Sequence, residues 1–144
     1  MSGQLLTKNE LLSLSARRFQ AVGSKDLEAT MAILVDEPVF EIFPANLRLS
    51  GQANVRRYYA NYFAVASDRI GGEVVDAFVS DNSVCLEMKM RYETAPGKVE
   101  HFRIIAVQPV EGERFTGERL YGDERLFRLM FPEPIWSLFE PIEP

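Results

Sequence analysis

The sequence predicts an α+β fold: three N-terminal helices packed on a curved antiparallel sheet, with a short C-terminal helix after it. Two observations carry this. Up to Phe63 the apolar residues recur mostly at the three- and four-residue spacing of amphipathic helices, and from Gly71 onward they form strand-like runs separated by short turns. Strands joined in sequence as a meander, preceded by helices, make an α+β plan with the helices gathered on one face of the sheet. No internal repeat, low-complexity run or linker divides the chain, so its 144 residues are read as one domain, 1–144.

The elements follow in order. Thr7 with Glu10 three residues on is a capping box, and Leu6 and Leu11 have the spacing of a hydrophobic staple. Behind this start, Leu11, Leu14, Ser15, Arg18, Phe19 and Val22 share one side of a first helix that closes at Gly23. Ser24 is read as the cap of a second helix, roughly residues 25–35, with Leu27, Met31 and Leu34 inward. Pro38 ends helix, "VFEIF" is a short strand, and "PANLRLSG" a turn with a second extended piece. In "SGQANVRRYYANYF", Val55, Tyr58, Tyr59, Tyr62 and Phe63 fall on one face of a third helix. "GGEVVDAFVS", "SVCLEMKMRYE", "KVEHFRIIAVQPV" and "ERFTGERLYG" are the four meander strands. Asp123 caps a last helix, "ERLFRLM", and the tail 131–144, with Trp136 and Phe139, is expected to dock.

Composition narrows the function. About half the residues are hydrophobic, enough for a core without staples. A net charge of −5 gives nucleic-acid binding no electrostatic support. Cys85 is the only cysteine and His101 the only histidine, so neither an intrachain disulfide nor a zinc site is expected, and no metal, nucleotide or flavin signature appears. The N-terminus "MSGQLLTKNELL" has no long apolar run, so no signal peptide or membrane span is expected and a cytoplasmic location is the default.

"KDL" opening the second helix, "VFEIFP", "SGQANVRRYYANYF" and "GERLYGDERLF", taken in this order, resemble the NTF2-like superfamily, in its SnoaL-like and ketosteroid-isomerase-like branch. The resemblance runs over roughly residues 7–130. It implies a cone-shaped barrel with a pocket between helices and concave sheet, usually in a homodimer. It also implies a protein that is either an isomerase, cyclase, hydrolase or dehydratase, or a non-catalytic binding module. The isomerase machinery of a carboxylate base, a tyrosine and a protonated acid falls at Ile42, Arg18 and Ile105, so steroid isomerase activity is not expected. "EHFR" offers Glu100 as a rival for the acid, and the epoxide-hydrolase aspartate falls at Leu120.

Strand pairing then selects a pocket face. Reading "TAPG" as a four-residue loop sets Glu93 opposite Lys98 and places His101, Arg103 and Ile105 beside Met90, Met88 and Leu86. Reading "EG" as a tight turn brings Glu118 and Leu120 onto the same face. Glu118 and His101 are the candidates for proton transfer, with Arg103 and Arg18 binding or stabilising negative charge. Each has a structural alternative: a snorkelling Arg18, a rim His101, an Arg103–Glu118 ion pair. The expected wall is Phe19, Tyr59, Tyr62, Met88, Met90, Ile105 and Leu120, and the expected partner a small apolar or carboxylate-bearing molecule. The function read from these residues is small-molecule binding without a cofactor, with isomerase, dehydratase or cyclase chemistry as its enzymatic form and a ligand-binding or dimerisation module as its alternative.

Overall fold

The computed structural model describes residues 5–143. Residues 1–4, part of the N-terminal stretch expected to hold no signal peptide, and Pro144, the end of the tail expected to dock, lie outside them. Helix α1 (Lys8–Gly23) starts as its sequence dictates: Thr7 Oγ1 accepts from the Glu10 backbone N–H at 3.1 Å, and Glu10 Oε1 accepts from the Thr7 N–H at 2.8 Å. Helix α2 (Leu27–Ala32) is shorter than expected. Its cap is Asp26 rather than Ser24, because the Asp26 carboxylate reaches the Ala29 N–H at 3.0 Å while Ser24 Oγ turns back onto α1 carbonyls. Helix α3 (Gln52–Asn61) runs into a π-helical turn (Tyr62–Ala66), closed by Ser67 N–H on the Tyr62 carbonyl at 2.8 Å.

Seven strands among the described residues form one sheet in the order β3-β4-β5-β6-β1-β2-β7. They are β1 (Leu34–Phe43), β2 (Leu47–Ser50), β3 (Ile70–Val79), β4 (Ser83–Ala95), β5 (Lys98–Glu111), β6 (Arg114–Tyr121) and β7 (Glu140–Pro141). The sheet is curved but open rather than a closed barrel, and it is not wholly antiparallel, since β1 runs parallel to β6. Helix α4 (Glu124–Met130), capped by Asp123 on the Arg125 N–H, leads into the tail. There Phe139 packs edge-on against Phe131, and β7 pairs with β2. The core lies between the helices and the concave face: Leu11, Leu14, Phe40, Ile42, Val55, Tyr59, Phe115 and Phe127 are all buried there.

The register of β5 differs from the expected one, and so does its inward face. Ala95 pairs with Lys98 across a two-residue Pro96–Gly97 turn, with Gly97 at φ 76°, and a register shift follows between Glu93 and Ala95. Glu93 therefore faces Val99, not Lys98, and Met90, Met88 and Leu86 face Phe102, Ile104 and Ala106. A one-residue slip exchanges the two faces of a strand. His101, Arg103 and Ile105 consequently point outward and are exposed. A second bulge, in β6, sits at Gly117 (φ 143°), where an added Cβ would lie 1.8 Å from the Val39 carbonyl oxygen. It leaves both Gly117 and Glu118 buried and turns Glu118 and Leu120 inward.

Candidate functional site

A cavity of about 280 Å³ opens between α1, the α3–π-turn segment and the concave faces of β3 to β6. Met88, Met90, Ile104 and Leu120 supply most of its apolar sheet wall, and Phe19 and Val22 of α1 stand across from them. Gly72 of β3 also borders it. An added Cβ there would come within 2.9 Å of Met90 Sδ and 3.1 Å of Met88 Cε, so the absent side chain leaves the space the two methionines use.

A chain of polar groups runs behind this apolar wall. Arg18 Nη2 donates to Glu118 Oε1 at 3.0 Å and to Tyr59 Oη at 2.6 Å. Gln108 Nε2 donates to Glu118 Oε2 at 3.0 Å, and Ser15 Oγ donates to Gln108 Oε1 at 3.1 Å. Ser15, Arg18, Gln108 and Glu118 are all buried. Each charge is thus matched and each carboxylate oxygen holds a donor, the condition under which an ion pair survives in a low-dielectric interior. Burial alone would pull the Arg18 guanidinium down, but Glu118 and Tyr59 outweigh it and hold Arg18 above its ordinary value. Burial pushes the Tyr59 phenol up to about 12, against the pull of Arg18, and the Tyr62 phenol likewise to about 12. Burial also raises Tyr58 well above its usual value.

The free donors converge on the same space. Of the Arg18 nitrogens only Nη2 is engaged, and the hydroxyls of Tyr58 and Tyr62, like the Tyr59 proton, find no acceptor among the described residues. All four residues border the cavity.

The structure brings Arg18, Glu118, Phe19, Tyr59, Tyr62, Met88, Met90 and Leu120 together around the cavity. It does not bring His101, Arg103 or Ile105 there. Arg103 pairs with Glu87 on the outer face at 2.5 Å, not with Glu118, and Ile105 is 42% exposed beside Tyr121. With Ile105 outward, the expected position of an isomerase-type acid is lost as well. Its rival Glu100 is held by Arg125 of α4, away from the cavity. Gln108, Ser15 and Tyr58 were missed as site residues. The signal for Gln108 was present: Phe102, Ile104, Ala106, Gln108 and Val110 alternate along β5, and Gln108 is the single polar residue in that stripe. Among the described residues no group of His, Cys, Asp and Glu is arranged to hold a metal ion, and no helix is long and apolar enough to cross a membrane.

The family model described as a SnoaL-like domain matches residues 16–118, from the third turn of α1 to the carboxylate at the cavity. The chain belongs to the SnoaL-like family. Its fold is NTF2-like. An LEH-like epoxide hydrolase from M. tuberculosis superposes with a TM-score of 0.69 at 18% identity, covering 85% of this chain and 90% of that one. A protein described as a putative ketosteroid isomerase from Kribbella flavida DSM 17836 gives 0.67 at 13% identity, covering 81% and 79%. PrhC from Penicillium brasilianum NBRC 6234 gives 0.72 at 12% identity, covering 93% and 99%. At these identities the likeness is one of fold. No curated protein matches the sequence.

Proposed function

We propose that this SnoaL-like chain binds a small, mostly apolar molecule in the cavity, with a carbonyl or carboxylate oxygen directed at Arg18 and the tyrosine hydroxyls. The observation that supports this best is the placement of Arg18, Tyr58, Tyr59 and Tyr62 on one wall of a cavity whose other walls are aliphatic and thioether surface. A second reading, acid–base catalysis of isomerase, dehydratase or cyclase type, draws support from Glu118, a carboxylate bordering the same space. Its two oxygens are already engaged by Arg18 and Gln108, which favours binding over proton abstraction. Native mass spectrometry of the purified protein tests the binding reading. A co-purifying small molecule is expected, its retention reduced by Arg18→Met and by Tyr59→Phe. Retention unchanged in both variants, with the fold intact by circular dichroism, overturns the assignment.

The homodimer is the second part of the proposal. Phe78, Ile105 and Tyr121 lie on the outer face of the sheet at 54%, 42% and 41% exposure, an apolar patch that a second copy would cover. Sedimentation of the wild type as a dimer and of Phe78→Glu as a monomer is expected. A monomeric wild type removes this part.

A further inference from the structure

We propose that Glu118 sets the charge of the ligand: the cavity accepts a neutral molecule with a carbonyl-type oxygen and rejects the corresponding carboxylate. The inference rests on the ligand-binding reading above and narrows it. Arg18 and Glu118 are the only charged residues on the cavity wall among the described residues, and they are already joined at 3.0 Å. The guanidinium spends Nη2 on Glu118 and Tyr59, and the Glu118 charge is further held by the Gln108 amide, itself anchored by Ser15. The wall is therefore neutral as a unit, and its one cation is answered.

A ligand carboxylate would bring a second anion next to Glu118 without a second cation. Burying an unmatched carboxylate beside a like charge is among the costliest changes a protein interior can make. A ketone or similar carbonyl meets no such penalty. It loses hydrogen bonds to water and regains them from donors that have no other acceptor: the hydroxyls of Tyr58, Tyr59 and Tyr62. Tyr59 is the best of these, because the bond that its oxygen accepts from Arg18 at 2.6 Å draws electron density from the phenol and strengthens its O–H as a donor. The carboxylate and amide oxygens of the site, by contrast, are occupied: Glu118 by Arg18 and Gln108, and the Gln108 carbonyl by Ser15.

Two probes of nearly equal shape separate the cases: 2-acetonaphthone, a neutral ketone, and 2-naphthoate. Calorimetric titration of the unaltered protein at neutral pH is expected to show the ketone binding at least about tenfold more tightly than the carboxylate. In Glu118→Gln, which keeps the side-chain length and an oxygen for Arg18, 2-naphthoate is expected to gain about tenfold while the ketone changes little. If the wild type binds 2-naphthoate as well as or better than the ketone, charge selection is overturned and ligand binding stands. If both bind as proposed but Glu118→Gln leaves the preference unchanged, Glu118 is not the selector. If neither probe binds, the ligand-binding reading falls and this inference with it.

Discussion

On the inner face of the sheet Arg18 meets Glu118 at 3.0 Å, with side chains only 11% and 8% exposed; on the outer face Arg103 meets Glu87 at 2.5 Å, with side chains 52% and 34% exposed. The two pairs share one chemistry and differ in surroundings. The inner pair is tied into Tyr59, Gln108 and Ser15 and is largely withdrawn from water. The outer pair stands in it. A buried pair is costly to break because the survivor is left charged and unmatched, whereas an exposed pair loses little. Identical residue types thus build a site on one face and ordinary surface on the other, and strand register decides which is which.

The largest effect is expected at the residue that sets this register in β6. Gly117→Ala places a methyl group against the Val39 carbonyl at a φ of 143°, and the clash is with backbone, which cannot turn aside. A loss of more than about 5 kcal/mol is expected in urea unfolding, with the β1–β6 pairing disrupted. Arg18→Met comes next: Glu118 remains buried without its cation, and about 3–5 kcal/mol should be lost, much of it recovered in the Arg18→Met, Glu118→Met double variant. A double variant as unstable as the single one would mean that packing, not charge, is what Arg18 supplies.

Alkaline pH tests the same interior without mutation. Tyr59 and Tyr62 hold their protons to about 12 in the folded chain against an ordinary value of 10.0. The folded state therefore binds protons more tightly than the unfolded one. Their contribution is full below pH 10 and is lost as pH rises toward about 12, so unfolding midpoints should fall across that window while phenolate absorbance lags behind that of free tyrosine. The smallest effect is expected for Arg103→Ala on the outer face, about 0–1 kcal/mol, with cavity binding unaltered.

Much of the fold was legible in the sequence because its signals are local. The Thr7–Glu10 capping box, the Asp123 cap and the Val55–Tyr58–Tyr59 stripe each need only a few neighbouring residues to be read. The face of β5 was not legible from turn arithmetic, because "TAPG" hides a two-residue turn followed by an irregular pairing. The same arithmetic places Glu118 and Leu120 correctly on the inner face because two displacements cancel: the one-residue shift of β5 and the bulge in β6. Gly117 inside a strand was its visible mark. The Arg18–Glu118 pair joins residues a hundred positions apart, and nothing in either neighbourhood announces the other.

Cys85 faces outward on β4, paired across the sheet with Phe78 on one side and Val107 on the other. Partial burial raises its thiol above the usual value, so a bare outer face would react slowly with alkylating agents and a covered one hardly at all. As the single cysteine in the sequence, it gives the chain a built-in label on the very surface proposed to meet a second copy. Its modification rate, followed against protein concentration, reports when that surface is hidden.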